Sequence, residues 1–369
     1  MITVLNNYVN PIFEVMFIPG PAAPNSGGIG AGRWHKNARD NINALHCDAA
    51  VHAKTFYLLR LLADASFHSG VALARELGVA PAAIQPGLRE LEGLGLELIR
   101  ARGRGYRLAE AYDCLDAAAV RAQLGPRAGD FRVELLDACD STNTQLLARA
   151  RAGAPAGQVL ACELQSAGRG RRGNSWQSGL GGNLTFSLLW RFGRGTAGLS
   201  GLSLAAGVGV ARALASLGIE GVQLKWPNDL LHAGRKLGGI LIELHGDAAV
   251  IGIGLNLRLR AGVRAAIAQA VTDLASISTQ VPQRNRLLAA ILIELAPVLE
   301  QFAAQGFAPL REEWMDRHAH QGKPVTLTSG DGRTVAGRAA GVAEDGALLL
   351  ETAQGLERFI NGELSLRAG

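Results

Sequence analysis

Three patterns of apolar and polar positions succeed one another along the chain. After residue 54, TFYLLRLLAD spaces its aliphatic side chains as a helix does, and SGVALARELGV follows as a second short helix ended by Gly78. APAAIQPGLRELEGLGLELIR predicts a third helix and a strand, and RARGRGYRLAE a tight basic hairpin. Helices and hairpin in that order make a winged helix–turn–helix pattern over 52–113. YDCLDAAAVRAQLGPRAG then reads as the linker, over 114–130.

From Phe131 to about residue 320, strands and helices alternate. FRVELLDAC, QVLACELQ, NLTFSLLW, VQLKW, ILIEL and AVIGIGLNL are short aliphatic runs suited to buried strands. TNTQLLARARA, LSLAAGVGVARALASLG and NRLLAAILIELAPVLEQFAAQ have helical spacing. A mixed-sheet α/β domain over 131–320 is expected. Over 321–369, short strands separated by Gly or Asp turns predict a small SH3-like β-barrel, so the whole is of the α+β class. Residues 1–51 keep neither period. Rich in Asn, Pro and Gly, as in PGPAAPNSGGIGAG, they read as disordered or as a non-native extension, with translation starting near Val51.

Composition narrows the class. Hydrophobic residues make up 48% and charged residues 19%, which excludes bulk disorder. The four cysteines (Cys47, Cys114, Cys139, Cys162) form no CxxC pair and no metal-ligand spacing, so neither a disulfide framework nor a metal site is expected. No apolar run reaches membrane-spanning length, and Glu14 and Pro19 interrupt the only signal-like stretch, so a cytoplasmic protein without a membrane partner is expected. A net charge of +5 suits anionic ligands.

The candidate chemistry lies in the middle domain. Gly168, Gly170 and Gly173 let backbone approach a ligand closely, and Arg169, Arg171 and Arg172 between them supply forked cationic donors for phosphate or carboxylate. An RNA-binding Arg-Gly segment would look the same in isolation. Lys225-Trp226-Pro227-Asn228-Asp229 ends a strand, where ligand sites in open α/β sheets often sit. GRKLGGILIE brings Lys236 to the start of another strand, and GIGLN puts Asn256 after alternating glycines. Asp140-Ser141-Thr142-Asn143 precedes a helix: either an N-cap, or neutral partners for a polar ligand head such as a ureido ring.

In this order, DSTN, QSAGRGRRGNSW, KWPND, GRKLGGILIE and GIGLN resemble the bacterial biotin protein ligases, in the bifunctional ligase and biotin operon repressor form. The resemblance runs from about Lys54 to Arg367. It implies that biotin and ATP give biotinyl-AMP, with Mg²⁺ accompanying ATP, and that biotin then passes to a lysine of a biotin carboxyl carrier domain. It implies biotin contacts from Ser141, Thr142, Asn143, Gln165, Arg169, Gly170, Arg171 and Lys225, with Lys225 and Arg169 catalytic. Gly168, Arg172, Trp176, Asn228, Lys236 and Asn256 fall to the nucleotide. Operator DNA would be met by Gln85, Arg89, Arg102 and Arg104, and a homodimer is implied.

Two departures stand out. The expected recognition helix contains Pro86, a roughly 3 kcal/mol defect inside a helix, and Gly87, about 1 kcal/mol more. Residues 52–113 also carry eight Lys and Arg against seven Asp and Glu, a surplus of one, which is feeble for a polyanion. Both argue against operator binding. The region Ala268–Leu274, where some members place an aromatic against adenine, offers Ala, Val and Leu. A non-catalytic biotin-dependent regulator and a lipoate or octanoate ligase are the alternatives.

Overall fold

The computed structural model describes residues 49–193, 199–328, 333–360 and 365–368. The expectations for 1–48 lie outside them. Three helices, α1 (Ala49–Leu61), α2 (Gly70–Glu76) and α3 (Gln85–Gly93), are followed by the antiparallel hairpin β1 (Leu98–Ala101) and β2 (Gly105–Leu108). Ser69 caps α2, its hydroxyl accepting from Ala72 N at 3.1 Å. Phe56, Leu59, Leu73, Ile84, Leu88 and Leu91 bury together in a core shared with Leu164 and Leu180 of the main body.

Pro86 does not carry the penalty expected of it. Pro81–Ile84 forms a 3₁₀ turn, and the α-helix begins only at Gln85, so Pro86 sits in its first turn. There the missing N–H would have had no helical partner anyway. Gly87 has a packing reason: a Cβ there would lie 3.3 Å from Leu58 and 3.4 Å from Thr55, where α3 crosses α1.

Segment 114–130, read as a linker, holds helix α4 (Ala117–Leu124), capped by Asp116. Its Val120 and Leu124 are buried in the main core. The central sheet has seven strands: β3 (Arg132–Cys139), β4 (Gln158–Gln165), β5 (Asn183–Arg191), β6 (Val222–Lys225), β7 (Asp229–His232), β8 (Arg235–His245) and β9 (Ala248–Asn256). Their order is β3-β4-β5-β9-β8-β7-β6, with only β3 and β4 parallel. β7 escaped the sequence pattern because four residues between two turns carry almost no periodicity.

The two faces of this sheet differ. Leu184, Phe186, Leu188, Ile251, Ile253 and Leu255 enter the main core with α6 (Leu202–Ser216) and α9 (Arg284–Gln305). By strand alternation the opposite face carries Ser187, Leu189, Val250 and Gly252. Helix α5 (Thr142–Arg151) covers part of it through Leu146 and Ala150, packed with Leu160, Leu189 and Val250. The remainder of that face is free to form a cleft. Helix α9, 22 residues long, is long and apolar enough by composition to cross a membrane, which corrects the expectation that no such run exists. It lies in the core, where Leu288, Leu292, Leu295 and Leu299 are fully buried.

Short helices α7 (Ala261–Ala266), α8 (Leu274–Ile277) and α10 (Arg311–Asp316) complete the main body. The last unit is a small antiparallel sheet of β10 (Pro324–Thr328), β11 (Thr334–Val342), β12 (Leu348–Thr352), β13 (Gly355–Phe359) and β14 (Ser365–Ala368), ordered β13-β12-β11-β10-β14. Among the described residues no pairing joins β13 to β14, so what is seen is a sheet rather than a closed barrel.

Candidate active site

The open part of the sheet face bounds a cleft of about 580 Å³. Thirteen of the fourteen residues singled out for catalysis, biotin and nucleotide line it; Gly168 lies just behind. Elements far apart in the chain thus converge: the start of α5, the end of β4, the Arg-Gly loop, the β6–β7 hairpin, and β8 and β9.

The Arg-Gly loop is a closed hairpin. Trp176 N donates to Gly168 O at 2.8 Å and Gly170 N to Asn174 O at 2.7 Å. Arg172 (φ 57°) and Gly173 (φ 73°) make its left-handed tip. A Cβ on Gly168 would lie 2.6 Å from Trp176 O, so that glycine lets the two arms of the loop touch. Arg172 Nη2 reaches Thr328 O at 3.4 Å, on the terminal sheet. Arg171 lines the cleft with Nη1 3.4 Å from Asn228 Oδ1, and burial, then Arg172 beside it, lowers its pKa from the usual arginine value.

Asp229 organises the lysines. It lies 2.7 Å from Lys236 Nζ and 3.6 Å from Lys225 Nζ, across the first pair of the β6–β7 hairpin. The sequence had separated these lysines into different roles; the structure sets both on one carboxylate. Asn228 fixes the turn, its Nδ2 donating to Ile240 O at 2.8 Å. Five cations (Arg169, Arg171, Arg172, Lys225 and Lys236) line the cleft against Asp229 and, behind Arg169, Glu243, a surplus of three positive charges. Such a surplus in a half-buried cleft attracts more than one anion.

The α5 end is neutral. Ser141 is the N-cap residue, yet its side chain makes no capping bond; Gln165 Oε1 accepts from Thr142 N instead, at 2.8 Å. The DSTN hydroxyls are therefore not consumed in capping. Ser141, Thr142 and Asn143 are buried, and Asn143 Nδ2 donates to Glu243 at 3.0 Å. Sequence reasoning missed Ser187, which contacts both Thr142 and Asn143, and Glu243, the last letter of GRKLGGILIE. Nothing but its place at the end of a buried strand marked Glu243 out.

The glycines of β9 serve neighbouring side chains. A Cβ on Gly252 would lie 2.1 Å from Asn143 Oδ1, and one on Gly254 2.5 Å from the Trp176 indole. Trp176 thus packs on the sheet while lining the cleft. Asn256 lines it too, but its amide is engaged: Oδ1 accepts from Asn183 at 2.9 Å and Nδ2 donates to Thr272 O at 3.0 Å. It ties β9 to Thr272, just after the 266–271 stretch that forms an aliphatic wall from Ala266, Ile267, Ala268 and Val271. Among the described residues no group of three or more His, Cys, Asp or Glu is placed to hold a metal.

Behind Lys225, the chain at 317–319 pairs with Leu224, whose N donates to Arg317 O at 2.7 Å. Burial there pushes His318 down to about 4 and lowers His320 as well, the latter helped by Lys225 and Lys323.

Residues 135–256 match the Biotin/lipoate A/B protein ligase family and residues 320–367 the Biotin protein ligase C terminal domain. The chain is 39% identical over 316 residues to the bifunctional ligase/repressor BirA of Salmonella typhimurium, covering 84% of this chain and 97% of that protein. It is 33% identical to the biotin–[acetyl-CoA-carboxylase] ligase of Mycobacterium tuberculosis, over 64% of this chain and 90% of the relative. Its structure is similar to the Aquifex aeolicus biotin protein ligase in complex with biotin and ATP, with a TM-score of 0.57 and 28% identity over 64% of this chain and 99% of that one.

Proposed function

The chain belongs to the biotin protein ligase family, and from that premise we propose how its cleft joins biotin to an acceptor lysine. The observation that carries the reading is the juxtaposition, in one cleft, of a neutral hydrogen-bonding end, a cationic middle and an aliphatic wall. Biotinyl-AMP has these parts in the same order: ureido ring, acyl phosphate, adenosine.

The chemistry brings two anions together. The biotin carboxylate attacks the α-phosphorus of ATP in line and pyrophosphate leaves. The acceptor amine then attacks the acyl carbon and AMP leaves. Neither step needs a buried base at the phosphate; both need positioning and cations placed where charge spreads. Lys225 and Lys236, gathered on Asp229, meet the carboxylate and the α-phosphate. Arg169, Arg171 and Gly170 close over biotin and the acyl phosphate, with Gly168 allowing the loop to close. Arg172 and Asn228 serve the phosphate side. Val271 and its neighbours receive adenine by aliphatic contact with Trp176 nearby, and Asn256 shapes that wall. Mg²⁺ carried on ATP fits the donors present, since Asp229 is the one carboxylate on the described lining and magnesium keeps waters and phosphate oxygens as its main ligands. When bound with ATP beside Asp229, it would supply charge neutralisation for the phosphate oxygens. The acceptor is a biotin carboxyl carrier domain, and the compartment is the cytoplasm.

Biotin-dependent ATP–pyrophosphate exchange tests the reading. Exchange with biotin and none with lipoate supports it; exchange with lipoate or octanoate instead would place the chain with the lipoate ligases.

A second reading, a biotin-responsive repressor acting as a homodimer, is favoured by the relative named ligase/repressor and by the helices and hairpin of 49–108, which we read as a winged helix–turn–helix. Arg89, Arg102 and Arg104 are exposed there, with Arg104 stacked 4.0 Å over Phe67. Gln85 is a weaker base reader than its position suggested, since its amide donates to Tyr106 Oη at 2.8 Å and braces the hairpin. Binding of biotin-operon duplexes with and without biotin and ATP, across a salt series, decides it: adenylate-enhanced, sequence-selective binding is expected, and equal binding to any duplex removes it.

A further inference from the structure

Four side chains lead from the Arg-Gly loop to the neutral end of the cleft, and their hydrogens have one consistent arrangement. Glu243 pairs with Arg169 Nη1 at 2.9 Å and accepts from Asn143 Nδ2 at 3.0 Å; Leu241 O accepts from the same nitrogen at 3.3 Å. A carboxylate and a carbonyl can only accept, so they fix the Asn143 amide with its nitrogen toward them and Oδ1 away. Ser187 Oγ, 2.6 Å from that oxygen, must therefore donate its one proton there. Its other neighbour, Thr142 Oγ1 at 2.7 Å, must then donate to Ser187. Gln165 Oε1, 3.3 Å from the Thr142 hydroxyl, is too distant to compete for that proton. Thr142 is left with lone pairs only. Meanwhile Thr142 N donates to Gln165 Oε1 at 2.8 Å, which turns Gln165 Nε2 outward as a donor.

We infer that Glu243 and Ser187 are positioning residues for the substrate head. The one-way chain from Thr142 through Ser187 and Asn143 to Glu243 holds Thr142 Oγ1 as an acceptor for one ureido N–H, beside Gln165 Nε2 as donor to the ureido oxygen. Thr142, Asn143 and Ser187 are 3%, 3% and 0% exposed, so water does not rearrange the chain. Neither Ser187 nor Glu243 lines the cleft; each acts through its neighbour. A cyclic urea matches this pairing, whereas a dithiolane offers neither N–H nor oxygen. The inference rests on the biotin-ligase reading.

The test uses biotin and the two cyclic-carbamate analogues in which one ureido N–H is replaced by oxygen. Dissociation constants are measured by calorimetry on the wild type, Ser187→Ala and Glu243→Gln, with circular dichroism to confirm folding. The wild type is expected to prefer biotin over one carbamate by about tenfold or more. Ser187→Ala should weaken biotin by about tenfold and that carbamate by less than threefold, so the preference collapses; Glu243→Gln should move it the same way to a smaller extent. If biotin and carbamates weaken in step, keeping the wild-type preference in both variants, Ser187 and Glu243 are structural only and the inference fails. A wild type that binds no biotin at all overturns the ligase reading itself.

Discussion

Gly252→Ala offers a sharp test of how the sheet shapes the end of the cleft proposed for biotin. Gly252 pairs with Ser187 on one side and Leu241 on the other, in the middle of β9, so its backbone cannot move without disturbing both ladders. The new Cβ would stand 2.1 Å from Asn143 Oδ1 and 2.8 Å from its Cγ. Asn143 must swing away, breaking its bonds to Glu243, Leu241 O and Ser187. Two or three buried hydrogen bonds at about 1 to 1.5 kcal/mol each come to about 3 kcal/mol. Biotin binding has to restore that geometry, so the affinity should fall on the order of a hundredfold. Isothermal titration with biotin reads this directly. A double-mutant cycle identifies the cause: with Asn143→Ala already present, adding Gly252→Ala should cost little more, because the clash has no target. Biotin affinity within threefold of wild type in Gly252→Ala, or additive losses in the cycle, would refute the reasoning.

Three further outcomes are expected. Lys225→Ala and Lys236→Ala should each slow adenylate formation by about 10² to 10³ without unfolding the protein, as loss of one cation at a developing phosphate charge does; a normal single-turnover rate removes that lysine from the clamp. Arg169→Gly should release biotinyl-AMP to solution faster than wild type, read as adenylate in the filtrate after rapid ultrafiltration, and wild-type retention contradicts it. His318, pushed down to about 4 by burial, is neutral in the fold; with an unfolded value near 6.5 its stabilising contribution is complete above that pH and lost as pH falls toward 4. Between pH 7 and 5 it should account for about 2 kcal/mol of lost stability in urea melts, and His318→Asn should flatten that slope. An equal slope in the variant assigns the acid loss to other groups.

Much of the arrangement was legible because its causes are local. Six of the seven central strands are short aliphatic runs, and the long helices α6 and α9 keep their spacing over whole turns. The gathering of site motifs was legible because they occur together and in order; singly, an Arg-Gly loop reads equally as an RNA-binding segment and a strand-end lysine as a solvated charge. What escaped was set by partners remote in sequence. Pro86 was misjudged because the start of α3 is fixed by the preceding 3₁₀ turn, not by periodicity. The alternating glycines at 252 and 254 were visible, but not that Asn143 and Trp176 are what approach them. Glu243 and Ser187 matter through Asn143, which lies 100 and 44 residues from them respectively, contacts that no window of sequence contains. Segment 114–130 looked like a connection because one eight-residue helix among alanines resembles a linker until α9 packs on it.

The account turns on one cleft holding the mixed anhydride until an amine arrives. Incubating the purified protein with biotin, Mg²⁺ and ATP labelled at the α-phosphate, then separating bound from free nucleotide, measures this. The label should remain on the protein as biotinyl-AMP and leave as AMP only when a carrier domain with its lysine intact is added, which becomes biotinylated in step. Label that never binds, or that leaves without modifying the carrier lysine, contradicts the account.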